Sequence, residues 1–186
     1  MSKLIYITNM SLDGYVEDDA GSYDLGNPDE VFSLITDLLR SAGTYLYGRK
    51  MYETMAYWES PQLEGNPSEH REFARIWQAA QKIVFSRAMT ERVTRNTRFE
   101  RDFNAEAIRK IKDEVPDDIT IGGSELASRA LETDLVDECH LFVYPIVIGG
   151  GKPAFHKPIR RRLELVDMRR FSTGVTYLRY RLQCEA

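Results

Sequence analysis

Short apolar runs rich in β-branched residues alternate along this chain with segments whose apolar residues recur at helical spacing. The runs include KLIYITNM, TYLYG, KIVFS and DITIG, and we interpret residues 3–10 as the first buried strand. Strands joined through helices pair in parallel, because the crossover returns the chain to the same end of the sheet. The tail RRLELVDMRRFSTGVTYLRYRLQ alternates in two runs about residues 172–174, which is typical of a hairpin. The sequence therefore predicts an α/β fold: a mostly parallel central sheet flanked by helices, with a C-terminal antiparallel hairpin.

Small and polar residues mark the expected helix ends. Pro28 suits the first turn of a helix, with Asn27 as its candidate cap, and Gly43 is expected to stop that helix. Ser68 and Asn104 are candidate caps of two further helices, SEHREFARIWQAAQ and NAEAIRKIKDEV. The run NTRFE predicts a short edge strand.

Length and charge limit the classes of protein to consider. The 186 residues fit one domain, so we predict a single domain over residues 1–186. A net charge of −4 provides no basic field for nucleic acid or acidic lipid. No apolar run reaches the roughly 20 residues of a membrane span, and the N-terminus lacks a signal-peptide layout. We expect a cytoplasmic protein that binds neither nucleic acid nor membrane.

The residues that commonly bind metal are scattered. His70, His140 and His156 share no metal-ligand spacing, and neither do Cys139 and Cys184. Thiols so far apart are typical of incidental cysteines in a reducing compartment. We therefore predict no metal site.

A glycine pair, Gly122 and Gly123, separates the apolar run DITI from the amphipathic segment SELASRAL. Glycines at a strand–helix junction allow a tight turn and the close approach of another group. The helix that follows presents unpaired N–H groups and the positive end of its dipole, which together favour pyrophosphate. The alternative is a tight turn that only packs the helix onto the sheet.

Two other junctions carry groups suited to phosphate. Gly48, Arg49 and Lys50 follow the strand TYLY, and Ser86 and Arg87 follow the strand KIVF. The carboxyl ends of parallel strands meet at one edge of a sheet, where open α/β folds bind ligands. Guanidinium, ammonium and hydroxyl groups there predict a phosphate site.

The order of these motifs resembles the dihydrofolate-reductase-like superfamily. More closely, it resembles the C-terminal reductase domain of the bifunctional riboflavin-biosynthesis deaminase–reductase. The shared motifs are SLDG, GRKMYE, FSR, IGGSEL, LVDE and YPIVIGGGKPAF, and they extend over essentially the whole chain. The resemblance implies NADPH as cofactor, hydride transfer to a heterocyclic substrate, and a homodimer. The C-terminal hairpin offers an exposed edge that a partner could cover.

Carried over to this sequence, the resemblance implies a cofactor site and a substrate site. The cofactor site comprises Asn9, Val16, Gly48, Arg49, Lys50, Ser86, Arg87, Ile121, Gly122, Gly123, Ser124, Glu125 and Leu126. Residues 49–50 and 86–87 would surround the adenosine 2′-phosphate, residues 122–126 the pyrophosphate, and Asn9 and Val16 the nicotinamide. The substrate end would include Asp13, Phe32 and Tyr144, with residues 149–151 shaping the neighbouring loop. Asp13 equally suits a residue that holds the Asp-Gly turn.

The sequence departs from the family at the substrate end. Ile7 and Asn9 replace the Lys and Ala of the KxAxSLDG pattern, and Ile121 replaces the Glu before the glycine pair. Phe32 lies near the place where folate reductases have an acid. Three functions therefore stay open. They are a riboflavin-type reductase resembling 5-amino-6-(5-phosphoribosylamino)uracil reductase, a dihydrofolate-type reductase, and a non-catalytic nucleotide-binding module. No side chain is predicted as the proton donor.

Overall fold

A computed structural model describes residues 1–21, 25–26, 28–60, 65, 67–89, 94–156 and 159–183. The strands are β1 (Leu4–Ser11), β2 (Tyr15–Glu17), β3 (Ala42–Gly48), β4 (Gln81–Phe85), β5 (Thr97–Glu100), β6 (Asp118–Gly122), β7 (Glu138–Tyr144), β8 (Lys152–Pro153), β9 (Leu163–Arg170) and β10 (Thr176–Leu182). The α-helices are α1 (Asp29–Arg40), α2 (Arg49–Met55), α3 (Ser68–Ala79), α4 (Ala105–Glu114) and α5 (Ser124–Glu132). A 3₁₀ turn, Ala56–Glu59, follows α2.

Eight strands form the central sheet in the order β5-β4-β3-β6-β1-β7-β10-β9. All neighbours from β5 to β7 are parallel, whereas β10 is antiparallel to both β7 and β9. This confirms the predicted mostly parallel α/β sheet with an antiparallel C-terminal hairpin. The predicted NTRFE strand is β5, at the sheet edge. Outside this sheet, β2 and β8 pair as a small antiparallel ribbon.

Helices cover both faces of the sheet. On one face, α4 and α5 pack against alternate strand residues such as Leu46 and Ile121. On the other face, α1, α2 and α3 cover the intervening residues, including Tyr45 and Tyr47. Successive side chains of a buried strand point to opposite faces, so central strands such as β1 and β3 carry apolar residues on both sides. This explains the continuous apolar runs in the sequence. No helix within the described residues is long and apolar enough to cross a membrane.

The predicted helix ends are partly correct. Asn104 does cap α4, since its Oδ1 accepts a hydrogen bond from the amide of Ala107 at 3.2 Å. Ser68 is not a cap. It is the first residue of α3, and Pro67 occupies the cap position with an extended backbone. Asn27 lies outside the described residues.

The prediction that Gly43 stops the first helix is wrong. Helix α1 ends at Arg40, and Gly43 lies inside β3, at a register irregularity with β6. A Cβ at Gly43 would lie 2.8 Å from the carboxylate of Asp117, an exposed side chain that would have to move aside to admit it. Gly43 therefore packs against the side chain of the residue that precedes β6, and it does not end a helix.

Candidate functional site

A cleft of about 500 Å³ lies at the carboxyl ends of β3, β4, β5 and β6. Many of the residues predicted to contact a cofactor line this cleft together. They are Gly48, Arg49, Lys50, Ser86, Arg87, Gly123, Glu125 and Leu126. The sequence motifs that follow three different strands therefore converge on one site, as the sheet order requires.

The glycine pair forms the junction between β6 and α5. Gly123 has φ +96, a backbone conformation that side-chain-bearing residues rarely adopt. A Cβ at Gly122 would lie 3.0 Å from the Tyr47 ring and 3.1 Å from Met51. Gly122 thus allows close packing beneath the turn, and Gly123 allows the turn itself. This geometry agrees with the tight-turn interpretation, and the approach of a ligand to the pair stays a prediction.

Ser124 begins α5 directly after the turn. The residue is only 3% exposed, and its hydroxyl has no hydrogen-bond partner among the described residues. Buried hydroxyl groups normally have a partner, because leaving one unsatisfied costs free energy. Ser124 and Gly122 are not among the residues that line the cleft, so their contact with a pyrophosphate stays a prediction.

The cleft is strongly basic although the chain is acidic. Six cationic side chains and two carboxylates line it. Sequence reasoning missed three of the cations, namely Arg101, Arg129 and Lys152. Arg101 follows the carboxyl end of β5, as Arg49 and Arg87 follow β3 and β4. That shared position was the signal available in the sequence.

The three basic residues expected around a 2′-phosphate each lie in an ion pair. These pairs are Arg49–Glu53 at 3.0 Å, Lys50–Glu17 at 3.8 Å, and Arg87–Asp102. By contrast, Arg101 and Arg129 form no ion pair in the part of the chain that the structure describes. Their guanidinium groups are therefore available to an anion without first breaking a pair.

Glu125 is the one acidic residue at the expected pyrophosphate position. Its carboxylate lies 2.8 Å from Nζ of Lys152. The hydrogen bond from Lys152 lowers the pKa of Glu125. The charge of the glutamate is thus largely balanced by a lysine of the β2–β8 ribbon.

The residues predicted near the nicotinamide lie outside the basic cleft. Asn9 is 7% exposed near the carboxyl end of β1, and Val16 is 8% exposed in β2. Ile121 is buried in β6 on the face covered by α4 and α5. Their assignment to a cofactor remains a prediction.

The predicted substrate residues have defined structural contacts. Asp13 accepts hydrogen bonds from the amides of Ile148 and Gly149 at 3.1 and 2.7 Å. A hydrogen bond with the Ser11 side chain, reinforced by these amides, lowers the pKa of Asp13 to about 2. The hydroxyl of Tyr144 donates to the carbonyl of Gly26 at 2.9 Å. Asp13 therefore holds the loop after β7, in addition to any contact with substrate.

Phe32 lies in the first turn of α1 within an aromatic cluster. Its ring centroid is 4.8 Å from that of His70, 5.1 Å from Phe73 and 5.9 Å from Trp58. The rings are tilted against one another, and the cluster lies on the face of the sheet that α1, α2 and α3 cover.

The thiol and metal-ligating groups offer no further chemistry. Cys139 is buried, and burial raises the pKa of its thiol to about 12; Cys184 lies outside the described residues. Over the described ranges, no group of three or more His, Cys, Asp or Glu side chains could hold a metal ion.

Comparisons with known proteins agree with this geometry. The family model described as the RibD C-terminal domain matches residues 2–177. The uncharacterized protein YyaP of Bacillus subtilis (strain 168) is 33% identical over 182 residues, covering 96% of this chain and 94% of that protein.

Two solved structures share the fold. One is a Shewanella sp. PV-4 protein named for riboflavin biosynthesis, with a TM-score of 0.76 and 20% identity, covering 98% of this chain and 99% of the other. The second is a diaminohydroxyphosphoribosylaminopyrimidine deaminase/5-amino-6-(5-phosphoribosylamino)uracil reductase from Thermotoga maritima. Its TM-score is 0.69 at 16% identity, covering 98% of this chain and 57% of the other.

Proposed function

The chain belongs to the RibD C-terminal domain family, and we propose that it is an NADPH-dependent reductase of a small planar heterocycle. The family is one of reductases that use a nicotinamide cofactor. The observation that carries the proposal is the meeting of the α5 N-terminus and six cations in one cleft at the carboxyl ends of four parallel strands. A dinucleotide phosphate satisfies both at once.

The residues present fit such a cofactor. The turn at Gly123, where a Cβ would meet nothing closer than 3.7 Å, leaves the first turn of α5 open to a pyrophosphate. When bound, NADPH supplies the hydride. This chain would bind and orient the dinucleotide and exclude water from the reacting ring.

We propose that Arg101 and Arg129 favour NADPH over NADH. Arg49, Lys50 and Arg87 remain candidates for the 2′-phosphate, but each would have to share its charge with a carboxylate already bound to it. The two unpaired arginines carry no such cost, and a guanidinium binds phosphate oxygens in a bidentate manner.

For the substrate we propose a pyrimidine of the riboflavin pathway, resembling 5-amino-6-(5-phosphoribosylamino)uracil. The aromatic cluster around Phe32 and Trp58 would supply apolar contact for a planar ring. A dihydrofolate-type substrate remains the alternative. Two observations favour a third hypothesis, a module that binds NADPH without catalysis. The carboxylate of Asp13 is engaged by backbone amides. Phe32 lies near the place where folate reductases have an acid.

The test separates binding from catalysis. NADPH is titrated into the purified protein by nicotinamide fluorescence, and its oxidation is then followed with the aminouracil substrate and with dihydrofolate. We expect binding, and oxidation with the aminouracil. If the protein binds neither NADPH nor NADH, the proposal is overturned. Binding without oxidation of NADPH by either substrate would favour the non-catalytic module.

We also propose that the protein is a homodimer formed through the C-terminal hairpin. A register shift in the β9–β10 pairing leaves Val166 without a partner. Because of that shift, three apolar pairs share one face of the hairpin: Leu178–Met168, Tyr180–Leu165 and Leu182–Leu163. Met168 is 63% exposed and Leu165 is 50% exposed. A row of exposed apolar residues on an unpaired edge strand favours burial against a second copy.

A further inference from the structure

The second glycine cluster, residues 149–151, leads directly into Lys152. Strand β8 begins at Lys152 and pairs with β2, placing Lys152 opposite Glu17. Gly151 has φ +117, and a Cβ there would lie 2.1 Å from the carbonyl oxygen of Glu17 and 2.7 Å from the backbone of Asp18. Only glycine allows the two strands to approach so closely. The glycine cluster thus fixes the position from which Lys152 extends.

The β2–β8 ribbon is linked to both helices that border the basic cleft. On β2, Glu17 pairs with Lys50 of α2 at 3.8 Å. On β8, Lys152 pairs with Glu125, in the first turn of α5, at 2.8 Å. The side chain of Lys152 is 19% exposed and lines the cleft, whereas that of Glu125 is 61% exposed. An ammonium group therefore sits beside the first turn of α5, held by a carboxylate that is mostly in solvent.

We propose that Lys152 is a phosphate-binding residue that exchanges partners, leaving Glu125 for the pyrophosphate when the cofactor binds. The inference rests on the proposed function and deepens it. The carboxylate that holds Lys152 is mostly in solvent, so this ion pair contributes little stability and its exchange for a pyrophosphate is favourable. The released carboxylate turns to solvent, where it is hydrated. Lys152, which directly follows the glycine cluster, thereby becomes part of the cofactor site.

The exchange differs from a purely structural role for the Lys152–Glu125 pair. If the pair only fastens the ribbon to α5, removing either partner weakens cofactor binding. If Lys152 changes partner, removing Glu125 relieves a competitor, and the two substitutions have opposite effects. The pyrophosphate is common to both dinucleotides, so effects at Lys152 should be equal for NADPH and NADH.

The experiment titrates NADPH and NADH by nicotinamide fluorescence into the wild type, Lys152→Met, Lys152→Arg and Glu125→Gln. Lys110→Met is the matched control, since Lys110 is an exposed lysine of α4 with a similar surface pair. We expect Lys152→Met to weaken both dinucleotides about tenfold, Lys152→Arg to restore most of the loss, and Glu125→Gln to tighten binding about two- to fivefold. The Lys110→Met protein should bind as the wild type does. Thermal midpoints on the same samples identify any loss through unfolding.

The outcomes distinguish this inference from the proposed function. The partner exchange is overturned if Lys152→Met and Glu125→Gln both weaken dinucleotide binding, or if Lys152→Met leaves that binding unchanged. Either result leaves the reductase assignment standing. Absence of binding of either dinucleotide by the wild type overturns both.

Discussion

The carboxylate of Glu138, in β7, accepts hydrogen bonds from Nε and Nη2 of Arg179, in β10, at 2.8 and 3.1 Å. Lys3 donates to the same carboxylate at 3.0 Å, and a ring nitrogen of His140 lies 3.2 Å from it. Glu138 is only 1% exposed. The network therefore fastens the antiparallel hairpin to the parallel part of the sheet at the strand ends opposite the basic cleft.

Acid should weaken this junction. Burial raises the pKa of Glu138, but hydrogen bonds from Arg179 and Lys3 outweigh it and lower the pKa from 4.5 to about 2. Because the folded-state pKa is lower than the unfolded one, the ionised carboxylate stabilises the protein above about pH 4.5. That contribution is lost as the pH falls toward about 2.

We expect Glu138→Gln to lower the free energy of unfolding by about 1–3 kcal/mol at pH 7, because two cations lose their carboxylate. The difference from wild type should shrink below about pH 4.5. Urea unfolding at several pH values measures it, with Glu114→Gln in an exposed pair on α4 as the control. A difference that is constant from neutral to acid pH would contradict the assigned pKa.

The alternation of elements could be predicted from sequence because local patterns determine it. Buried strands and amphipathic helices each have a characteristic spacing of apolar residues in the sequence. The two strands of the β9–β10 hairpin have one as well. The place of Gly43 could not be predicted, since the Asp117 side chain that packs against it belongs to a distant segment of the chain.

The same distinction applies to the candidate site. The predicted residues that line the cleft could be grouped from sequence, because each follows the end of its own strand. Arg129 and Lys152 were missed, because one lies further along α5 and the other is brought to the cleft by the β2–β8 ribbon. The carboxylate partners of Arg49, Lys50 and Arg87 were not predicted either, although they decide which cations are free to bind a ligand.

The free arginines give a prediction on cofactor choice. We expect NADPH to bind at least about tenfold more tightly than NADH, because charge-assisted contacts are each worth roughly 1.5–3 kcal/mol. Arg101→Met should weaken NADPH and leave NADH nearly unchanged, as measured by nicotinamide fluorescence. Arg109→Met, an exposed arginine of α4, is the control. Equal affinities of the wild type for both dinucleotides would contradict the assignment of a 2′-phosphate site.

The hairpin gives a prediction on assembly. Met168→Asp places a charge in the exposed apolar row of β9, so we expect it to shift a dimer to monomer without unfolding it. Sedimentation velocity measures the change. Val147→Asp is the control, because Val147 is equally exposed, at 66%, but lies in the loop after β7. A wild type that is monomeric at high concentration, or a dimer that only Val147→Asp disrupts, would contradict this interface.

The glycine pair gives the last prediction, which concerns Gly123→Val. Space is available at Gly123, since a Cβ would meet nothing closer than Met51 at 3.7 Å. The substitution therefore acts through the φ of +96 and through the side chain's projection beside the first turn of α5. We expect a stability loss of about 1–3 kcal/mol, which a domain of this size survives. Affinity for NADPH should fall by more than about tenfold, because phosphate loses its approach to the α5 amides.

Gly174→Val is the matched control for that substitution. Gly174 has φ +86 in the hairpin turn, outside the basic cleft, so it carries comparable backbone strain without touching the proposed phosphate position. Thermal midpoint and NADPH dissociation constant are measured on the same samples of both variants. If Gly123→Val binds NADPH as well as Gly174→Val does, the glycine pair serves only to pack α5 onto the sheet, and the cofactor must lie elsewhere.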